Sequence, residues 1–280
     1  MGALTARRML TVRGPIELAE AGQGPAVLVV HGMPGDWRQA RTVAEDLSER
    51  ARVLLVSRPG YGRTPLRTGR TPQEQASGYV ALLDALDIER AVVLGISGGG
   101  PSSFAFASLF PDRCQGLLLS CAVTPHLMTP PAVMLRLAAV PGAWRAAAGL
   151  TRLIARYGDP KPPDLSPLTA TERVLAADPL VLADLVRFEA ERPLTMRGQG
   201  LRNDTRQLAA RREIPWGAAQ LVPTVVLHGD ADEVVPLVHA EAYAAAVPGA
   251  RLEVLAGYGH AVPLFARARV AQLLGELLDS

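Results

Sequence analysis

Apolar positions along this chain follow two patterns in turn. Short, largely apolar runs at residues 26–30, 53–56, 91–94 with Ile96, 116–122, 223–227 and 252–255 read as strands, and the fully apolar run at 26–30 is the kind expected of a strand covered on both faces. Between them the apolar positions are spaced for helices. Trp37, Ala40, Val43, Ala44 and Leu47 follow Asp36, which can cap a helix running to about residue 50. Val80, Leu83 and Leu86 follow Thr71-Pro72-Gln73-Glu74, a start with a Thr cap, Pro in the first turn and Glu three residues on. Phe104 to Phe110, residues 237–247 and residues 264–278 give three more helices, and Gly14-Pro15 between residues 11–13 and 16–20 reads as an antiparallel hairpin that opens the sheet. Such alternation predicts an α/β core around a largely parallel sheet.

The alternation stops between residues 125 and 216. Helical patches at 132–140, 144–157, 169–177 and 181–191 are punctuated there by Pro130-Pro131, Pro141-Gly142, Pro160-Lys161-Pro162-Pro163 and Pro193, with no strand pattern. Because strands resume afterwards, residues 125–216 read as a helical lid inserted into one core made of 1–124 and 217–280. Ligands of open parallel sheets bind beyond the carboxyl ends of the strands. Those ends carry Gly32, Gly60, Ser97, Asp232 and, after the last strand, His260.

The sharpest feature is Val92-Val93-Leu94-Gly95-Ile96-Ser97-Gly98-Gly99-Gly100-Pro101, a buried strand that breaks into a turn and a helix start. Glycines at 95 and 99 give clearance on either side of a serine held in a strained strand-to-helix bend. A glycine-rich loop without chemistry is the competing reading. A serine hydroxyl becomes a useful nucleophile only when a base takes its proton, and an imidazole is suited to that and to protonating a leaving group later.

Composition narrows the function further. The chain has 29 basic and 27 acidic residues among 280, with a net charge of +2, and its arginines are scattered without aromatic interleaving, so a nucleic-acid surface is not indicated. Lys161 is the sole lysine, which argues against Schiff-base chemistry. No run reaches the roughly 18 apolar residues of a membrane span, and residues 1–13 lack the apolar core of a signal peptide, so a cytoplasmic protein without membrane insertion is expected. Cys114 and Cys121 flank one predicted strand and would stand roughly 20 Å apart, beyond disulfide reach. Gly98-Gly99-Gly100 has no downstream P-loop lysine, and no dinucleotide fingerprint or metal-ligand cluster is visible, so neither a cofactor nor a metal is expected.

Taken together, His31-Gly32, Arg58-Pro59-Gly60-Tyr61-Gly62, Gly95-Ile96-Ser97-Gly98-Gly99, the run from Gly229-Asp230-Ala231-Asp232 to Pro236, and Gly259-His260 resemble the α/β-hydrolase superfamily over the whole chain outside the insertion. The resemblance implies the α/β-hydrolase fold with an inserted helical cap. It also implies a triad in the order nucleophile, acid, base: Ser97, Asp232, His260. Asp232 has the family's spacing from the glycine and the proline, whereas Asp230 is expected to serve its own turn. Backbone N–H groups of Met33 and Gly98 are the implied oxyanion donors. The implied substrate is a small carboxylic ester, thioester or lactone. Alternatives are C–C bond hydrolysis on the same triad, or a non-hydrolytic binding protein or lyase of the same fold; a serine nucleophile speaks against the dehalogenases and epoxide hydrolases, which use Asp. His31, Gly32, Trp144 and Arg187 are candidate substrate-binding residues, with Arg197, Arg202 and Arg206 further candidates to hold a substrate carboxylate. Two departures from the family pattern stand out: Ser57-Arg58 where most relatives place Asp before the Pro-Gly turn, and Gly98 directly after the nucleophile.

Overall fold

A computed structural model of the chain describes residues 4–157, 163–195, 197–211 and 219–280. Its centre is an eight-stranded sheet, in the order β1 (Ala6–Thr11), β2 (Gly14–Ala21), β4 (Arg52–Val56), β3 (Ala26–Val30), β5 (Ala91–Ile96), β6 (Cys114–Ser120), β7 (Thr224–Gly229) and β8 (Arg251–Leu255). The first two strands form a hairpin as expected, but its turn is Val12-Arg13: the first arm lies earlier than the sequence pattern suggested, and Gly14-Pro15, the expected turn, begin β2. β2 joins β4 antiparallel, and every pairing from β4 to β8 is parallel.

Alternate side chains of the central strands feed two apolar layers, as the two-residue period of a strand requires. Leu28, Val30, Ala91 and Val93 pack with Tyr79 and Leu82 of α2 (Pro72–Ala85), Phe104 and Phe106 of α3 (Gly100–Leu109) and Tyr243 of α9 (Val238–Ala246). On the other face, Val27, Val29, Val92 and Leu94 pack with Val43 and Leu47 of α1 (Arg41–Leu47) and with Val270, Leu273 and Leu274 of α11 (Arg267–Leu278). The Thr71 hydroxyl and Glu74 carboxylate form the capping box predicted for α2.

Two helices differ from the sequence expectation. Asp36 caps a 3₁₀ turn, Trp37–Ala40, before α1 begins, and α1 ends at Leu47. The last helix is broken into α10 (Val262–Phe265) and α11 at Ala266, whose φ of −111° and ψ of 34° leave the helical region.

Between β6 and β7 the described residues form α4 (Ala132–Ala139), α5 (Ala143–Tyr157), α6 (Ala170–Leu175), α7 (Pro179–Thr195) and α8 (Gly198–Ala209). The last of these has no counterpart among the predicted patches, because Gly198 and Gly200 weaken its pattern. Both glycines are needed for close packing: a Cβ on Gly198 would meet the Trp144 backbone at 2.6 Å, and one on Gly200 would strike the Tyr61 ring. The expected end of the insertion at residue 216 lies outside the described residues. Among those described, no helix is long and apolar enough to cross a membrane.

Candidate active site

β3 is paired with β4 on one side and β5 on the other, so the chain leaves it in one direction and returns in the other. At such a reversal the loops beyond the carboxyl ends part and open a crevice. Ser97 stands there, immediately after β5, with a φ of +48°. That region is costly for a residue with a Cβ, about 1–3 kcal/mol, and persists only where the surroundings enforce it. The enforcement comes from close neighbours rather than from clashes with the serine itself. A Cβ on Gly95 would lie 2.7 Å from the Ser103 side chain, and one on Gly99 would collide with the carbonyls of Val30 and His31. α3 and β3 can close on the turn only because those side chains are missing.

His260 follows β8 and the Gly257-Tyr258-Gly259 loop. Its Nε2 is 3.0 Å from Ser97 Oγ and its Nδ1 is 2.8 Å from Asp232 Oδ2. An ionised carboxylate only accepts, so Nδ1 carries the proton and Nε2 presents its lone pair to the Ser97 hydroxyl. Asp232 is held in turn: its Oδ1 accepts from the N–H groups of Val234 at 2.9 Å and Val235 at 2.8 Å. Burial opposes ionisation of Asp232, but the His260 bond and charge, with the Val235 N–H, leave its carboxyl below the usual range. Asp230 also works in this region, though not on its own turn: its Oδ1 accepts from Gly257 N at 2.6 Å and ties the acid loop to the histidine loop.

The loop after β3 brings Met33 beside Gly98. A Cβ on Gly98 would stand 3.0 Å from Met33 Cβ and 3.3 Å from Met33 N. His31 shapes this approach from beneath. Its Nε2 accepts the Arg58 N–H at 2.9 Å, which leaves Nδ1 as the donor to the Gly32 carbonyl at 2.7 Å, the carbonyl of the peptide whose N–H belongs to Met33. Burial, and then the Arg58 charge, hold this imidazole well below its ordinary pKa and therefore neutral.

Arg58 is the residue whose importance the sequence least suggested. Only 1% of it is exposed. Its guanidinium donates to the Gly98 carbonyl at 2.7 Å and forms a buried ion pair with Asp204 of α8, whose carboxylate also accepts from Tyr61 Oη at 2.8 Å. A second carboxylate from the β6–β7 segment, Glu172 of α6, is 2% exposed and accepts from Gly259 N at 3.0 Å, one residue before His260. Neighbouring Thr169 donates from its hydroxyl to the Gly257 carbonyl at 2.7 Å. The substitution of Ser57-Arg58 for the usual acidic residue was the one sequence signal of the first pair; the second left none.

Two cavities meet at Met33. The larger, about 260 Å³, is lined by Ser97, His260, Ile96, Phe188 and Leu264. The smaller, about 110 Å³, is lined by Gly98, Arg58, Asp204 and Gln207. None of the four expected substrate contacts lines either cavity. Trp144 is buried against Tyr61, Ala138 and Leu201. Arg187 is paired with Glu45 of α1 and Asp184, so its charge fastens α7 to the core instead of facing a substrate. His31 has both ring nitrogens committed beneath the loop, as described above. Gly32 does lie close to the nucleophile, since a Cβ there would be 3.0 Å from Ser97 Cβ. Of the other arginines, Arg202 donates to the Ala138 carbonyl, Arg197 borders a separate hollow beside Gly60, and Arg206 is exposed. Arg58 and Arg192 are the arginines that line the two cavities.

Cys121, His228 and Asp232 gather potential metal-ligand atoms within 4.8 Å of one another. Within this group Asp232 Oδ2 accepts from His260, His228 Nε2 donates to the Val235 carbonyl at 2.7 Å while its Nδ1 is buried without a partner among the described residues, and burial pushes the Cys121 thiol up.

Known proteins place this geometry in context. A family profile described as alpha/beta hydrolase fold matches residues 25–266. An uncharacterised hydrolase of Bacillus subtilis (strain 168), YcgS, is 29% identical over 269 residues, which cover 91% of this chain and 93% of that protein. An alpha/beta hydrolase fold protein from Nakamurella multipartita superposes with a TM-score of 0.77 at 29% identity, over 99% of this chain and 100% of that one. A thermophilic esterase from Thermogutta terrifontis does so with a TM-score of 0.67 at 25% identity, over 98% of each chain.

Proposed function

The chain belongs to the α/β-hydrolase family, and from that premise we propose that it is a serine hydrolase that cleaves a carboxylic ester, thioester or lactone through an acyl-enzyme on Ser97. The observation that carries this reading is the unbroken path from Ser97 Oγ to His260 Nε2 at 3.0 Å and from His260 Nδ1 to Asp232 Oδ2 at 2.8 Å. His260 takes the hydroxyl proton as Ser97 attacks the carbonyl carbon, and Asp232 stabilises the imidazolium that results. The N–H groups of Met33 and Gly98 receive the negative charge that develops on the carbonyl oxygen, each worth about 3–4 kcal/mol in sites of this kind. The tetrahedral intermediate collapses, His260 gives its proton to the departing alcohol, and water, activated by the same imidazole, then releases the acid. Residues 125–216 act as the cap over this site, and the reaction needs no cofactor or metal.

The test is turnover of an ester series of increasing acyl length by the wild type, Ser97→Ala and Asp232→Asn, together with labelling by a fluorophosphonate. Turnover and labelling that both require Ser97 support the reading. A folded wild type that neither hydrolyses any ester nor takes the label refutes it.

A further inference from the structure

The two cavities beside Ser97 differ in chemistry as well as in size, and the difference assigns the two arms of the substrate. In the proposed reaction the leaving oxygen must come within reach of His260 Nε2, because that atom protonates it. His260 and Ser97 line the larger cavity and not the smaller. With the carbonyl oxygen between Met33 and Gly98, the alcohol arm therefore points into the larger cavity. The acyl arm is left the smaller one, which Met33 and Gly98 themselves line.

Three side-chain amides among the residues that line the smaller cavity are not engaged by other described residues. Gln75 is 4% exposed, and Gln73 and Gln207 are half-buried; among the described residues none of these three side-chain amides makes a hydrogen bond. Side-chain amides that line a cavity and have no protein partner take their hydrogen bonds from whatever occupies it, solvent or substrate. The charged lining is self-cancelling, since Arg58 is already paired with Asp204. A neutral donor–acceptor group fits that environment. A carboxylate would bring an uncompensated charge into it.

We propose, on the footing of the serine-hydrolase reading above, that the cavity enclosed by Gln73, Gln75 and Gln207 is an acyl pocket for a short acyl group bearing a neutral hydrogen-bonding substituent, of the 2-hydroxyacyl kind, and that the larger cavity takes an apolar alcohol. Phe188, Leu264 and Pro263 supply the apolar wall on the alcohol side, and the two charges that also line it, Glu189 and Arg192, are paired with each other.

The experiment compares benzyl glycolate with benzyl propionate, two acyl groups of equal length that share one alcohol. Each kcat/KM is divided by the ester's own hydroxide rate constant, which removes the difference in intrinsic reactivity. The wild type is expected to favour glycolate by about tenfold after this correction, as one or two neutral hydrogen bonds would give. In Gln207→Leu and Gln73→Leu the preference is expected to shrink toward unity. Because the ratio is read within each protein, a general loss of activity cancels. Benzyl hydrogen malonate, with a charged arm, is expected to be slower than glycolate. A corrected ratio near unity in the wild type, a ratio unmoved by both substitutions, or a preference for the malonate overturns the proposal. So does a hydroxyl preference that follows the alcohol, read by comparing 2-hydroxyethyl with propyl phenylacetate. Ser97-dependent turnover of benzyl acetate separates these outcomes from failure of the serine-hydrolase reading, which would remove both.

Discussion

The carboxyl edge of the sheet and the helices between β6 and β7 both reach the site, by different physical means. At the sheet edge Ser97 directly follows a strand fixed by backbone pairing, Val30 opposite Gly95 and Ile96 opposite Ser120, and Asp232 and His260 stand on short loops that leave β7 and β8. The helices instead reach it through buried polar side-chain contacts. Asp204 meets Arg58, 146 residues away in sequence, and Glu172 meets Gly259, 87 residues away. Backbone pairing spreads its energy over many bonds, whereas a desolvated ion pair concentrates several kcal/mol in a few atoms. Substitution at the sheet edge should therefore change chemistry and leave stability nearly intact. Substitution of the helix carboxylates should change both.

The largest expected effect is on chemistry alone. Ser97→Ala should lower kcat by about 10⁶-fold and Asp232→Asn by about 10⁴-fold. Urea denaturation should show Ser97→Ala within about 1 kcal/mol of the wild type, because the alanine keeps the Cβ and removes only a hydroxyl. A large loss of stability in Ser97→Ala would erase the contrast between the two regions.

Next comes Asp204→Asn, which leaves the Arg58 guanidinium buried without a counter-charge. Breaking a buried pair in this way costs about 3–5 kcal/mol, whereas replacing both partners with apolar residues of similar volume is often neutral. Asp204→Asn should therefore unfold at markedly lower urea concentration, and the double variant Arg58→Met with Asp204→Leu should recover most of the loss. If the single and double variants are equally unstable, the helices depend on packing rather than on this pair.

The same contrast explains what was legible in the sequence. Strand runs, helical spacing, the capping box at Thr71 and the turn around Ser97 are local patterns, each set by residues within a few positions of one another, and the structure carries them apart from the split first and last predicted helices. The placement of Ser97, Asp232 and His260 in one crevice followed from strand ends in a parallel sheet. Arg187 and Trp144 lie away from the two cavities, and nothing local distinguishes an arginine that meets a carboxylate on α1 from one that meets a substrate, or a buried aromatic from a pocket wall. α8 was overlooked for a related reason: Gly198 and Gly200 are there for contacts with Trp144 and Tyr61, residues distant in sequence. Asp204 and Glu172 read as ordinary polar positions on helices, and only tertiary packing turns them into buried partners of the site.

Glu172 sharpens the comparison on a smaller scale. In Glu172→Ala the N–H groups of Gly259 and Thr169 lose their acceptor, which should cost about 1–3 kcal/mol. The loop that carries His260 loses its tether at the same time, so fluorophosphonate labelling of Ser97 should slow by about tenfold. Glu172→Gln keeps an acceptor oxygen and should restore most of the labelling rate. Labelling at the wild-type rate in Glu172→Ala would show that the histidine loop is held by Asp230 and the sheet alone.

The smallest effect lies where the two regions join. As the chain leaves β6, Thr124 donates its N–H to His239 Nδ1 at 3.0 Å and its hydroxyl to the His239 carbonyl at 2.9 Å. Burial, and then the neighbouring His228, pull the His239 pKa from 6.5 down to about 4. A lowered histidine pKa means that the unfolded chain takes up a proton before the folded one does. Its contribution is therefore full above pH 6.5 and is lost as pH falls from 6.5 toward 4. His31 and His228 are lowered in the same direction and add to the same slope. Urea midpoints should accordingly decline through that window. His239→Asn offers Thr124 an acceptor that does not titrate and should flatten the decline, at a cost near pH 7 of about 1 kcal/mol. An unchanged slope in His239→Asn would assign the acid sensitivity to the two histidines beneath the active site, moving it from the root of the helical segment to the edge of the sheet.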